Sequence, residues 1–140
     1  MTTTNQTRRG FLGLLMGTVA TVALTGQVEA SPRAGGTMVI FVSADDCGPC
    51  KVFEAQDFPQ FAQSALARTV KFVRVKAPKS AQAFQAKYWP KEAQPYLSSF
   101  KAAMVPSFMV VSGGAVMSVG AGLRGWRDQA LPRLQQLAQA

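Results

Sequence analysis

The sequence has no histidine and only two cysteines in 140 residues. A structural zinc site needs four ligands, so this chain cannot build one from cysteine and histidine alone. Covalent haem attachment, which needs Cys-x-x-Cys-His, is excluded because Lys51 fills the last position. Acidic residues are scarce as well, with 7 Asp and Glu against 15 Lys and Arg for a net charge of +8. The basic residues are scattered, densest at Lys71, Arg74, Lys76 and Lys79, and no run of five appears. Nucleic-acid binding asks for a basic stripe, so a solvated surface that favours acidic partners is the expected use of this charge. No internal repeat or low-complexity tract is present.

What the chain does have is Cys47-Gly48-Pro49-Cys50. A disulfide stabilises a fold by closing a long loop in the unfolded chain, and a two-residue gap closes almost nothing. Two thiols this close serve instead to open and close reversibly, exchanging electrons with thiols of another protein.

The first thirty residues read as an export leader. Thr7-Arg8-Arg9-Gly10-Phe11-Leu12 precedes an uncharged apolar run to Leu24, and Val28-Glu29-Ala30 offers a small-residue cleavage site before Ser31. The fourteen residues from Phe11 to Leu24 reach roughly 21 Å as a helix, short of the ~30 Å hydrocarbon core. The pattern resembles a twin-arginine (Tat) signal, with Gly13 where Lys is usual. The expected organisation is a leader over 1–30, cleaved after Ala30, and one domain over 31–140.

Within that domain, Thr37 to Ser43 is a continuous apolar run suited to a buried central strand. Asp45-Asp46 marks the start of a helix from Cys47 to Gln56, and Pro59 opens another through Arg68. Thr69 to Lys76 reads as a strand flanked by basic residues. Residues 78–104 lean helical but are broken by Pro90 and Pro95. Strands at Ser107–Val111 and Ala115–Val119 flank Ser112-Gly113-Gly114, a hairpin signal. Trp126 to Ala140 reads as a terminal helix.

Cysteines at i and i+3 share a helix face. In the first turn, unpaired N–H groups and the helix dipole favour a thiolate at Cys47. Cys47 is therefore expected as the exposed nucleophile and Cys50 as the resolving thiol, with Gly48 and Pro49 forming the loop between them. Asp45 and Asp46 oppose the dipole by a comparable amount.

The strand and helix carrying Cys47-Gly48-Pro49-Cys50-Lys51 resemble the active-site segment of thioredoxins. Val105-Pro106-Ser107-Phe108, followed by Gly113-Gly114 and Val119-Gly120-Ala121, is similar to the thioredoxin segment that contains the cis-proline. The resemblance implies an α/β thioredoxin fold, a central mixed β-sheet flanked by helices, with a helical insertion before the cis-Pro loop. It implies that Pro106 is cis and that Val105 pairs with a substrate strand. No cofactor beyond the Cys47–Cys50 couple and no metal is implied. The chain departs from thioredoxins at three places: Phe41 replaces the buried Asp of the central strand, Asp46 the Trp before the first cysteine, and Ser43 an upstream aromatic. The longer 77–104 stretch holds Trp89 and Tyr96, which either cover the core or replace the missing Trp as a partner platform.

The expected function is an exported thiol-disulfide oxidoreductase, acting as a monomer on disulfides of periplasmic proteins and supplied by a membrane thiol donor. Gly-Pro between the cysteines resembles reductants. The alternatives are a thioredoxin-fold binding or assembly module with little turnover, and a disulfide oxidant.

Overall fold

The computed structural model describes residues 36–140, so the leader over 1–30 lies outside the described residues. Four strands form one sheet in the order β2-β1-β3-β4. β1 spans Thr37–Ala44, β2 Val70–Ala77, β3 Ser107–Ser112 and β4 Ala115–Ala121. β1 pairs parallel with β2 and antiparallel with β3, and β3 pairs antiparallel with β4. The sheet is therefore mixed, as expected.

The apolar run of β1 is explained by its central place, since every residue from Met38 to Ala44 is buried. Its side chains divide by parity between two cores. Val39 and Phe41 enter a layer with Phe53, Phe61, Phe108, Trp126, Leu134 and both cysteines. Met38, Ile40 and Val42 enter a second layer with Val73, Val75, Trp89, Met109 and Val111. In the first layer Phe41 stacks on Phe108, with ring centres 5.1 Å apart and planes at 11°. Phe53 meets Trp126 edge-on at 5.1 Å.

The helix after β1 is longer and less regular than the sequence suggests. α1 (Gly48–Val52) runs through a π turn at Phe53–Asp57 into α2 (Phe58–Gln63). It stops at Ser64, whose extended backbone caps a short 3-10 turn over Ala65–Arg68. The C-terminal helix begins earlier than Trp126: α3 (Gly122–Arg124) continues through a π stretch (Gly125–Ala130) into α4 (Leu131–Ala138). Pro132 follows directly on the π stretch, inside the continuous helical arm, and withdraws one backbone donor there. The two helical arms are joined by Arg127, whose Nε and Nη2 donate to the two Asp57 oxygens at 2.8 and 2.9 Å. That pairing raises the Arg127 pKa above its ordinary value.

Between β2 and β3 the chain is helical only as short 3-10 turns, at Ser80–Gln82, Ala86–Tyr88 and Gln94–Ser99. Pro90 and Pro95 each withdraw a backbone donor and forbid a continuous α-helix. The β3–β4 hairpin closes through Gly113 and Gly114 at φ 57° and 80°, the paired left-handed conformations of a type I′ turn.

Candidate redox site

Cys47 and Cys50 are joined as a disulfide with Cα atoms 5.2 Å apart. Cys47 is the N-cap of α1, with extended backbone, and its Sγ accepts the Cys50 N–H at 3.1 Å. A sulfur thus occupies the capping position that an oxygen usually fills. A negative charge developing on it meets an N–H donor and the positive end of the helix.

Cys47 was expected to be exposed. In the disulfide it is 4% exposed and Cys50 1%, while Gly48 and Pro49 are open to solvent. The cause is the first core layer, which packs against both sulfurs.

The Val105–Pro106 peptide is cis. It stands at the same end of the sheet, because Ser107 at the start of β3 pairs with Val42 near the end of β1. Pro106 is buried and Val105 half-buried against both core layers. Two hydrogen bonds hold this loop. The Gly122 N–H donates to the Pro106 carbonyl at 2.8 Å, and the Ser107 hydroxyl donates to the Met104 carbonyl. Beside it is a hollow of about 410 Å³ lined by Phe100, Lys101, Ser107, Val119 and Gly120 among others.

The carboxylates before Cys47 are both engaged. Asp45 pairs with Lys76 at 3.2 Å, and its N–H donates to the Ala77 carbonyl. Asp46 Oδ1 accepts the Ser80 N–H and the Ser80 hydroxyl, each at 2.7 Å. The Ser80 hydroxyl is the main reason the Asp46 carboxyl titrates below its ordinary range. Sequence reasoning missed Ser80, which lies 34 residues away and belongs to no motif.

Of the two uses expected for Trp89 and Tyr96, covering the core is the one in which the structure places Trp89, and neither residue stands beside Cys47. Trp89 is 3% exposed in the second layer, on the far side of the sheet from the disulfide layer. Its indole N–H donates to the Ala83 carbonyl at 2.8 Å, and its ring meets Phe100 edge-on. The Tyr96 hydroxyl reaches the Gly114 carbonyl at 3.5 Å, at the hairpin turn on the opposite end of the sheet. The physical reason is core demand: the 3-10 segment must cover Val73, Val75 and Ala83, and Trp89 is the large side chain that does so.

Phe41, six positions before Cys47, puts an aromatic ring where the thioredoxin resemblance expects a carboxylate. Its cross-strand neighbour Arg74 holds its guanidinium 5.8 Å from the Phe41 ring centre and 5.3 Å from that of Phe58. Arg74 Nη1 lies 3.2 Å from Glu54 Oε1. Among the described residues no group of three or more His, Cys, Asp or Glu is placed to hold a metal ion.

No family model and no curated protein matches the chain. Solved structures do. Thioredoxin from Trypanosoma brucei brucei aligns with a TM-score of 0.51 at 19% identity, over 76% of this chain and 78% of its own. Thioredoxin f from spinach chloroplast, short form, aligns with a TM-score of 0.50 at 19% identity, over 81% and 88%. Thioredoxin O2 from Arabidopsis thaliana, in its oxidized state, gives 0.50 at 17%, over 74% and 76%. With the mixed four-stranded sheet flanked by helices, these alignments show that the chain has the thioredoxin fold.

Proposed function

We propose that the protein is an exported thiol-disulfide oxidoreductase that reduces or exchanges disulfides in periplasmic partner proteins. The observation that carries this reading is the closed Cys47–Cys50 pair at a helix N-terminus, at the same sheet end as Val105–Pro106. In the dithiol form Cys47 thiolate attacks a partner disulfide, and one partner sulfur leaves as a thiolate. Cys50 then attacks Cys47 Sγ, releases the second partner sulfur and re-forms the intramolecular disulfide. Each cycle oxidises the protein by two electrons and reduces the partner by two. A membrane thiol donor restores the dithiol. The Tat-type leader supports delivery to the periplasm, and the size of residues 31–140 suits a monomer.

The burial of Cys47 supports a second reading, a module that holds a partner and turns over little. Equilibrating the full chain against glutathione and dithiothreitol redox buffers separates these readings. A reversible couple around −230 to −270 mV is expected for a reductase. A value near −120 mV makes it an oxidant, and the absence of any reversible couple leaves the holding module.

A further inference from the structure

The two edges of the sheet are guarded differently. An edge strand presents unpaired N–H and C=O groups, and folds usually blunt it with charge, proline or a covering segment. β2 carries Lys71, Arg74 and Lys76 at its exposed positions, ion-paired with Glu92, Glu54 and Asp45. β4 has no charge and no proline along its whole length. It pairs with β3 alone, and among the described residues no backbone hydrogen bond from outside the sheet reaches it.

One stretch of this edge is shaped to receive a side chain. The register to β3 shifts between Val110 and Val111, and past that point residues 118–121 pair in unbroken register with 110–107. The helical arm covers this stretch on the disulfide-layer face, where Gly125 packs against Gly120. On the other face Val116 and Val119, registered against Val111 and Met109, stay 39% and 38% exposed. There the hollow of about 410 Å³ beside the cis-Pro loop opens between Val119 and the Phe100-Lys101 segment, and no acidic residue lines it. Lys101 is exposed and, among the described residues, has no ion-pair partner.

We propose that the outer edge of β4 at residues 118–121 takes an extended segment of a partner protein as a fifth strand, with an apolar side chain in the hollow and a carboxylate against Lys101. In strand addition of this kind, main-chain hydrogen bonds supply the affinity and pockets for alternate side chains the selectivity. Side chains of the added strand alternate between faces, so one in two points to the open face that holds Val119 and the hollow. The carboxylate follows from charge: the chain is net +8 and the hollow offers Lys101 with no acid beside it. A second copy of this chain fits less well. Four paired residues cover far less than the ~1,200 Å² at which stable interfaces begin, and β4 brings no carboxylate to Lys101. The edge is used by neither the cysteines nor Val105, so it serves an exchange enzyme and a holding module alike.

The test uses the isotope-labelled full chain and two capped hexapeptides of alternating threonine and valine, one ending in glutamate and the other in glutamine. With millimolar peptide, NMR is expected to show shifted amides and slowed hydrogen exchange at residues 118–121, a shift at Lys101, and no change along β2. At low salt the glutamate peptide should bind roughly two- to fivefold tighter than the glutamine peptide. That difference should close at about 1 M salt, where screening acts within roughly 3 Å. Val119→Lys should weaken both peptides about tenfold, and Lys101→Glu should turn the preference toward glutamine. Shifts confined to the Cys47–Cys50 and Val105–Pro106 region, shifts along β2, or no shift at all overturn the proposal. Equal affinity for the two peptides at low salt overturns the part assigned to Lys101. Protection of residues 118–121 that rises with protein concentration, without peptide, gives the edge to a second copy and overturns the partner assignment. The unaltered chain decides all of these outcomes should either variant fail to fold.

Discussion

Gly125 packs so closely on Gly120 that a Cβ built on it would stand 2.5 Å from the Gly120 carbonyl carbon. The reciprocal Cβ on Gly120 would meet Gly125 Cα at 2.8 Å. Both obstacles are backbone, so no side-chain rotation relieves them. This contact seats the C-terminal helical arm on β4 and brings Trp126 into the disulfide layer.

For Gly125→Ala, two effects compete. Alanine gains about 0.5–1 kcal/mol over glycine in a helix, whereas forced overpacking costs about 1–3 kcal/mol and more against rigid atoms. The clash wins. Urea denaturation should show a net loss of about 1–2 kcal/mol or more, and an alanine variant as stable as the parent would contradict this packing.

The two cysteines should fail differently. Cys47→Ser is expected to abolish disulfide exchange. Cys50→Ser should still attack once and stop as a stable mixed disulfide, visible as an added partner mass in electrospray spectra of non-reduced samples. Trapping through Cys50 in the C47S protein would reverse the assigned roles.

Asp46 gives a pH dependence with a defined sign. Its carboxyl is held below the ordinary value chiefly by the Ser80 hydroxyl, so the folded state favours the ionised form. The stability this adds is complete above the unfolded value of about 3.9 and is lost as pH falls through the lower folded value. The Tm gap between the parent and Asp46→Ala should be constant from neutral pH to about pH 5 and close in stronger acid. A gap that widens on acidification would refute the assignment.

Trp89 should matter for folding alone. Trp89→Ala removes a buried indole and leaves a cavity, with an expected cost of about 3–5 kcal/mol. Below its melting transition, the variant should exchange disulfides at the parental rate. A tenfold loss of rate in folded W89A protein would restore a role near the disulfide.

Those five variants also mark what the sequence could and could not reveal. The strands were legible because a sheet's interior demands β-branched and aromatic runs, and Gly113-Gly114 fixed the hairpin through backbone freedom alone. Cys47, Cys50 and Pro106 were legible because chemistry and geometry tie them to short motifs. Ser80, Arg74 and Glu54 carry no such mark, since their partners come from cross-strand register and helix placement. Trp89 was left between two readings because amphipathic aromatics beside prolines suit a surface as well as a core. Without helical periodicity over 78–104, only the packed layers distinguish the two.

The sheet places one tryptophan on each of its faces. Trp126 shares a layer with the disulfide, and Trp89 is walled off behind β1 and β3. The molecule consequently carries two optical reporters with separate duties. Emission from Trp126 is expected to respond to the opening and closing of the sulfur bridge, and that from Trp89 only to whether the opposite layer is intact. Replacing either ring with phenylalanine isolates the other signal, so redox state and unfolding can be tracked in one cuvette without any attached dye.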